Sequence, residues 1–429
     1  MKRKQLNFSM LLLLTVIVNI LIPKAGIKVA GIPITIGSIL LFCLLIMALI
    51  PQNKEIKYSI TRYEFFILSC SFFWILIIIC GLIFNGFYSD NSFYSIGRVF
   101  SYFIGLVICP LIVLCVNKKL RSIEQIEYLL NWMYLCILIV LGYACLQYLL
   151  GIGTIQIPGV TVNLSDYLLS PNGWWRGKAN AVSSDSSKIV STYQNGNLFG
   201  ANMLLLFPIV NKAVDKKNAI KYLGIGMLLF CSLVSGSRTF LFGVLFYLLL
   251  MIINGKKVSY ISKNSFFSFI LFGSALSFLS YRIIISGNDY ITRFASILNW
   301  QSLSNASNRA PKFQEYLSWV FERKDGIFHL IFGSFGMNHN GEAYEMLWGS
   351  VFIFGGIIGL VLFFTPIFYV MNKLKDNSYT KVSHGLFYGL SVYLFASIIE
   401  GAYWLLPTAI NFWLVIAIGF RVNSIYNNS

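Results

Sequence analysis

Long runs of apolar residues, separated by short polar stretches, recur along the whole chain. An apolar run of about 20 residues matches the hydrocarbon thickness of a bilayer when it is helical. Backbone groups in lipid must be paired within the segment, so such runs predict helices. The pattern predicts an all-α polytopic membrane protein. The twelve predicted spans are residues 7–22, 31–50, 65–84, 99–116, 129–150, 198–213, 222–236, 239–253, 265–285, 346–370, 385–399 and 406–420.

The composition agrees with this prediction. Of the 429 residues, 57% are hydrophobic and 11% are charged, and the mean hydropathy is +0.72. Soluble chains carry about 25% charged residues. The sequence therefore indicates a membrane protein rather than a soluble enzyme or binding domain.

The net charge of +17 is explained by topology. With the N-terminus inside, the predicted inner loops hold 20 of the 33 lysines and arginines, as the positive-inside rule requires. Nucleic acid is therefore not an expected partner. The basic N-terminus is followed by an apolar run without a small-x-small cleavage site, so we expect this run to remain as the first span.

All eight cysteines lie inside apolar runs, and no predicted loop holds a pair that could form a disulfide. They lack metal-ligand spacing with histidine. We expect them to be small core residues.

Two outer segments are much longer than the other loops and divide the chain. The predicted organisation is 1–150 with spans one to five, 151–197 as the first long outer loop, 198–285 with spans six to nine, 286–345 as the second long outer loop, and 346–429 with spans ten to twelve. In the second loop Phe313, Leu317, Val320 and Phe321 recur at helical spacing. This predicts an amphipathic helix over 309–324 at the outer interface.

Outer arginines are the first candidates for a binding site. They are Arg176, Arg238, Arg282, Arg293, Arg309 and Arg323. Any of them could be an interfacial anchor that reaches lipid headgroups. Arg238 lies in the short turn "SGSR" and Arg309 opens the predicted amphipathic helix, where backbone N–H groups favour an anion. Guanidinium groups at these positions suit a phosphate or pyrophosphate.

Candidate proton acceptors lie just before span ten. His339 can act as a general base near neutral pH, although a solvated loop histidine would look the same in the sequence. Glu342 and Glu345 are alternatives, as is Glu400 at the outer end of span eleven, but acids also favour helix N-termini for electrostatic reasons. His329, between apolar residues, is expected to be structural.

The outer loops contain no D-x-D pair for Mg²⁺, no zinc spacing and no glycine-rich nucleotide loop. If a reaction here expels a pyrophosphate, arginines would replace a metal in stabilising the leaving charge. We therefore expect metal-independent chemistry without a cofactor.

Five segments, in order, resemble the integral-membrane O-antigen polymerases and ligases of the GT-C class of glycosyltransferases. They are "VSTYQNGNLFGANMLLLFPIV" with Asn197, "LVSGSRTFLFG" with Arg238, "SNRAPKFQEYLSWVF" with Arg309 and Trp319, "LIFGSFGMN", and "HNGEAYEMLWGSVFIFGGIIG" with His339 and Asn340. The resemblance covers roughly residues 160–370. Ligases tend to have a glycine separated from the His-Asn pair by nine residues, and here that position is Ser350. The difference favours the polymerase branch.

The resemblance implies a GT-C-like fold and a bacterial inner-membrane enzyme with its active site on the outer side. Such a polymerase moves a growing glycan from undecaprenyl pyrophosphate onto the next lipid-linked repeat unit. Its partners would be that donor and acceptor, membrane lipid and a chain-length regulator protein. Arg238 and Arg309 would bind the leaving pyrophosphate, and Arg176, Asn197 and Asn340 are further substrate-binding candidates. His339, with Glu342 as second choice, would take the proton from the acceptor hydroxyl.

Trp174, Trp175 and Tyr193 of the first long loop could stack on sugars, although aromatic residues of an interface belt are the more ordinary interpretation. Two other functions stay open at this point. A ligase would transfer finished glycan to a lipid core, and a flippase or transporter would use the arginines to bind an anionic cargo.

Overall fold

A computed structural model shows a helical bundle. The structure describes residues 2–29, 32–49, 60–86, 102–150, 155, 157–161, 164, 189–193, 195–235, 237–255, 309–334, 346–376, 380–398 and 406–427. Thirteen α-helices lie among these residues. They are α1 (Lys2–Leu21), α2 (Ile36–Leu49), α3 (Arg62–Gly86), α4 (Ile112–Lys119), α5 (Ile123–Leu150), α6 (Gly196–Ala213), α7 (Asn218–Val234), α8 (Arg238–Gly255), α9 (Arg309–Glu322), α10 (Gly326–Phe332), α11 (Leu347–Asp376), α12 (Lys381–Ser397) and α13 (Leu406–Asn427).

Helical structure is found at eleven of the twelve predicted spans, and the ninth, 265–285, lies outside the described residues. The predicted fourth span is irregular. A π turn (Ile104–Ile108) and a 3-10 turn (Cys109–Leu111) precede α4. Pro110 has no N–H group to donate, so a regular α-helix cannot continue unchanged through this point.

The second predicted span starts too early. Two short antiparallel strands, β1 (Gly26–Val29) and β2 (Ile32–Thr35), pair with Gly26 opposite Thr35, and α2 begins afterwards. Ser38 and Thr35 exchange side-chain and backbone hydrogen bonds that close the start of α2. The β-branched residues of the segment favour a strand, which the count of apolar residues alone did not reveal.

Four helical segments are long and apolar enough to cross a membrane, so the described chain has the character of a membrane-embedded helical protein. They are Arg62–Cys80, Ile123–Leu150, Leu347–Lys375 and Thr408–Tyr426. Shorter apolar helices accompany them at Ser9–Leu21, Ile36–Leu49, Asn218–Val234 and Thr239–Ile253.

Two helices form the centre of the bundle. In α6 the side chains from Leu198 to Asn211 are all buried, and in α13 those from Thr408 to Phe420 are. The other helices surround them: α6 packs on α5, α8 and α12, and α13 packs on α1, α4 and α11. A helix that is apolar on every side is typical of such a central position.

The tightest helix crossing joins α6 and α12. Gly385 and Gly389 lie four residues apart on α12, and a Cβ at Gly389 would be 2.4 Å from the carbonyl oxygen of Leu205. A Cβ at Gly385 would be 2.6 Å from the carbonyl oxygen of Ile209. Small residues at this spacing let two helix backbones approach closely, which is how apolar helices gain packing in lipid.

A chain of buried amides connects α1, α6 and α13. Asn19 donates to Asn411 (2.8 Å), Asn411 donates to Asn202 (2.7 Å), and Asn202 donates to the Thr408 hydroxyl (2.8 Å). All four residues are buried. Because buried amides are costly unless paired, this chain fixes the relative rotation of three helices.

One end of the bundle holds the helix ends that the charge pattern predicts to lie on the inner side of the membrane. Arg421 near the end of α13 donates to the carbonyl oxygens of Leu120 (2.5 Å) and Arg121 (3.3 Å). Lys381 at the start of α12 forms an ion pair with Asp215 at 2.7 Å. The opposite end of the bundle holds the candidate site residues that are described.

Candidate functional site

The N-terminus of α6 and the turn between α7 and α8 are in direct contact. A Cβ at Gly196 would be 3.1 Å from the carbonyl oxygen of Ser235 and 3.2 Å from that of Ile189. The Asn195 side chain caps α6 by accepting from the N–H of Leu198 (2.8 Å). Asn197, the predicted binding residue, is the second residue of α6 and half-buried. The structure thus brings the first two motif segments together.

Two serines build the turn that ends at Arg238. Ser235 donates to the carbonyl oxygen of Ser232 (3.2 Å) and accepts from the N–H of Ser237 (3.2 Å). Ser237 caps α8 by accepting from the N–H of Phe240 (3.3 Å). Hydroxyl side chains satisfy helix-end N–H groups in this way. As a result, α8 begins at Arg238, and its first turn contains no acidic residue.

A second turn, Ile189–Tyr193, is buried beside α6 and holds backbone strain. Ser191 has φ of 52°, an unusual conformation for a residue with a side chain. Its hydroxyl donates to the carbonyl oxygen of Val140 (2.7 Å), and its carbonyl accepts from the amide of Gln147 (3.0 Å). Both partners lie on α5. Strained residues that neighbouring groups hold in place occur often near functional sites.

Two buried polar atoms, one in this turn and one beside it on α5, have no hydrogen-bond partner among the residues that the structure describes. They are the Thr192 hydroxyl and the Gln147 amide oxygen, and both residues are at least nine-tenths buried. Sequence reasoning missed both residues. Tyr193 is fully buried, and its hydroxyl donates to the carbonyl oxygen of Ile20 (3.3 Å). It therefore neither stacks on a sugar nor belongs to an interface belt, because the turn folds into the core rather than out of it.

The predicted amphipathic helix is α9, which begins at Arg309 and has no acid in its first turn. The predicted packed face was partly wrong. Tyr316 and Val320 are buried against Ile353 of α11, with Phe313 and Leu317 beside them. Phe321 is 69% exposed. Tyr316, three residues after Phe313, belongs to the packed face, whereas Phe321 does not.

Two glycines join α10 to α11 and kink α11. Gly333 (φ 80°) and Gly356 (φ 60°) both have left-handed backbones, and a Cβ at Gly356 would be 2.4 Å from the carbonyl oxygen of Ile331. The kink frees the carbonyl oxygen of Ile353, which accepts from the N–H of Ser334 (2.8 Å). A broken helix is tolerated at membrane depth when neighbouring groups re-pair its backbone. The last two motif segments therefore pack on each other.

His329 has the structural role expected from the sequence. It is buried, with Nε2 3.1 Å from Asp325 Oδ2 and Nδ1 3.3 Å from the Gly333 carbonyl oxygen. Arg323 donates to both oxygens of Asp325 (2.7 and 2.9 Å) and lies 4.8 Å above the Trp319 ring. The hydrogen bonds from Arg323 hold the pKa of the Asp325 carboxyl well below its usual value.

The remaining predicted site residues lie outside the described part of the chain. This holds for Arg176, Arg282, Arg293, His339, Asn340, Glu342, Glu345, Glu400, Trp174 and Trp175, and for the side chains of Arg238 and Arg309. The structure places the backbones of these last two arginines at helix starts, α8 and α9. It brings the Ser235 turn that precedes Arg238 against the N-terminus of α6, and it packs the Arg309 helix on α11.

α8 and α9 therefore each start at an arginine, and helix N-termini and guanidinium groups both suit a phosphate group. Within the described ranges, no three His, Cys, Asp or Glu side chains come together as metal ligands.

Comparison with known proteins gives no relative to add to this geometry: no family model, curated protein or solved structure matches the chain significantly. The class that the structure defines is a helical protein with several helices able to cross a membrane.

Proposed function

We propose that this protein polymerises lipid-linked oligosaccharides at the outer face of the bacterial cytoplasmic membrane. The observation that carries the proposal is that α8 and α9 each begin at an arginine and have no acid in their first turns. A cation at a helix N-terminus opposes the helix dipole. This unfavourable placement occurs at the starts of both α8 and α9. An anionic ligand bound by both helix starts would account for it.

The proposed reaction joins two lipid-linked units. A sugar hydroxyl of the acceptor unit attacks the anomeric carbon of the donor glycan, and the bond from that carbon to the pyrophosphate oxygen breaks. Undecaprenyl pyrophosphate leaves with the bonding electrons. Arg238 and Arg309 neutralise its charge, which is the role that a metal has in other pyrophosphate-releasing enzymes. His339, or less favourably Glu342, takes the hydroxyl proton.

The remaining predicted residues bind substrate. Asn197, in the first turn of α6, follows Gly196, which contacts the Ser235 turn, and Asn197 is proposed to bind the same ligand as Arg238. Arg176 and Asn340 are proposed to contact the glycan or its diphosphate. The chemistry needs neither a metal nor a cofactor.

Transport is a weaker explanation of the same residues. Transporters carry ionisable groups along their membrane-spanning segments. Among the described side chains, the buried lysine, arginine and acidic residues are Glu64 and Lys119, in the first turn of α3 and at the last residue of α4. The polar groups at the centre of the bundle are neutral amides and hydroxyls. This distribution supports chemistry at the surface.

Surface polysaccharide from a strain without this chain tests the function. A polymerase mutant leaves glycan one repeat long, a ligase mutant leaves the lipid core without glycan, and a flippase mutant keeps lipid-linked units on the cytoplasmic side. We expect single repeats on the gel, and full ladders after complementation with the wild-type gene.

Variants then test the arginines. Arg238→Ala and Arg309→Ala should each abolish long chains while the protein is still made and inserted. Arg309→Lys should also give few long chains, since the point charge of an ammonium group cannot replace the planar guanidinium group with its paired N–H donors. Arg323→Ala is the matched control, because this outer arginine is already paired with Asp325, and it should keep its ladder. If either Arg238→Ala or Arg309→Ala still gave long ladders, that arginine would not be needed to bind the leaving pyrophosphate, and the proposal would be contradicted.

A further inference from the structure

Helices α5 and α7 lie side by side in parallel with a well-defined register. The Tyr134 hydroxyl donates to the carbonyl oxygen of Ile220 (3.2 Å) at the inner end. At the outer end the rings of Tyr148 and Phe230 are 5.3 Å apart. Two glycines lie between these pairs. A Cβ at Gly224 would be 3.3 Å from Leu138, and a Cβ at Gly142 would be 3.4 Å from Met227.

Within this register two cysteines face each other. The sulfur atoms of Cys145 and Cys231 are 4.0 Å apart. Cys231 is buried and its thiol points toward the carbonyl oxygen of Leu141 (3.7 Å), whereas Cys145 is partly exposed. The named contacts lie on both sides of Cys145 along α5, and their partners on α7 lead up to Cys231, so this register places the two cysteines opposite each other. A disulfide requires sulfurs about 2.05 Å apart. Side-chain rotations that bring the two sulfur atoms about 2 Å closer would therefore allow the bond to form.

The pair lies close to the outer end of both helices. Cys145 precedes the last residue of α5 by five positions and Cys231 precedes that of α7 by three. At 1.5 Å per residue, α5 with its 28 residues is about 42 Å long, and Cys145 lies about 7.5 Å from its end. The predicted span ends at residue 150, which would place this cysteine about 7.5 Å inside the boundary of the bilayer core. With the N-terminus inside, this boundary is on the outer side, where thiols are exposed to oxidants.

We propose that Cys145 and Cys231 form a disulfide in the mature protein. The oxidant is a disulfide of an extracytoplasmic thiol–disulfide oxidoreductase. The thiolate of partly exposed Cys145 attacks it and forms a mixed disulfide, and the thiol of Cys231 then displaces the oxidoreductase sulfur. Two protein thiols and one external disulfide thereby become one protein disulfide and two external thiols, which carry the two protons.

The bond would tie the outer end of α7 to α5, which is a consequence independent of the enzymatic proposal. Cys231 is four residues before Ser235, where the turn to Arg238 begins. The same helix α5 holds the Ser191 turn through Val140 and Gln147. One covalent link would therefore hold in place both turns that flank the N-terminus of α6.

Differential thiol labelling tests the proposal on the full chain in its own membranes. The membranes are denatured with N-ethylmaleimide and without reductant, so that buried free thiols are blocked as well, and the protein is then reduced and labelled with a maleimide-polyethylene glycol. We expect two labels on the wild type and none on Cys145→Ser or Cys231→Ser. Cys136→Ser, on the same helix α5, is the matched control and should keep both labels.

Peptide mass spectrometry should find the peptides of Cys145 and Cys231 linked with the loss of two hydrogens. A second arm adds copper–phenanthroline to the membranes before blocking. A link that forms in this arm alone would overturn the claim that the cell envelope oxidises the pair. Absence of the link in both arms would show that the two thiols do not meet. Neither result depends on polysaccharide synthesis, so the proposed function is tested separately.

Discussion

Single residues near the N-terminus of α6 keep conformations that cost stability. Ser191 holds a left-handed backbone with two hydrogen bonds to α5, and Thr192 beside it buries a hydroxyl that has no partner among the described residues. A buried hydroxyl left unpaired lowers stability by about 1–3 kcal/mol. These costs occur in the turn that leads into Asn195 and the N-terminus of α6, where we place substrate binding. Their position agrees with the general trade of stability for function at binding sites.

Replacing Thr192 by valine should stabilise the protein. The substitution keeps the shape and removes the unpaired hydroxyl, so we expect a gain of about 1 kcal/mol in unfolding free energy. Thermal unfolding of the detergent-solubilised protein measures it. Thr408→Val is the matched control: it removes a hydroxyl that accepts from Asn202 and should destabilise instead. Equal losses in both variants would show that Thr192 is paired.

Asp325 should stabilise the α9–α10 segment in a pH-dependent manner. Its pKa is lowered in the folded protein by Arg323, so its contribution is present above the unfolded-state pKa of about 3.9 and is lost as the pH falls below that value. Asp325→Asn should lower the unfolding temperature at pH 7, and the difference from wild type should shrink toward pH 3. A difference that stays constant over this range would contradict the assignment.

At the scale of elements, close contacts between helix backbones fix how the bundle is assembled. Gly385 and Gly389 let α12 meet α6, and Gly333 and Gly356 let α10 meet the kink of α11. In the sequence both pairs are ordinary glycines in apolar runs. Their role depends on which helix lies opposite, and helical periodicity does not contain that information.

Gly389→Ala should separate α12 from α6. The added methyl group would be 2.3 Å from Ile209 Cγ1 and 2.4 Å from the Leu205 carbonyl oxygen, and overpacking of this kind costs about 1–3 kcal/mol. Gly142→Ala is the matched control, because its methyl group would meet a flexible methionine end at 3.4 Å. It should be neutral, or stabilising by up to about 1 kcal/mol through helix propensity. Unfolding temperatures of both variants check the contrast, and equal effects would contradict it.

For the whole molecule, the sequence predicted where helices occur better than how they meet. Helical structure is found at eleven of the spans predicted from apolar runs. These runs are informative because positions that face lipid and positions in the protein core are both occupied by apolar residues. The pattern could not show that α6 and α13 are central, since residues apolar on all sides indicate no face. It also missed the hairpin at Gly26–Thr35, which lies within apolar residues that suit a helix or a strand.

The candidate site was predictable to a similar degree. Turn residues in "SGSR" and a helix start at Arg309 follow from local sequence chemistry, and both elements are found where the motifs place them. The buried turn with Ser191 and the Cys145–Cys231 pair depend on contacts between residues 44 and 86 positions apart. A pattern read along the chain does not contain contacts of that kind.

The central claim is that Arg238 and Arg309 bind one diphosphate at the outer face of the cytoplasmic membrane. Its most direct test is the affinity of the purified protein, in lipid nanodiscs, for undecaprenyl pyrophosphate. A hydrogen-bonded charged pair contributes about 1.5–3 kcal/mol, so Arg238→Ala and Arg309→Ala should each weaken binding about 10- to 100-fold. The double variant should lose less than the sum of the two free-energy changes, because both groups bind the same ligand. Wild-type affinity in either single variant would contradict the account.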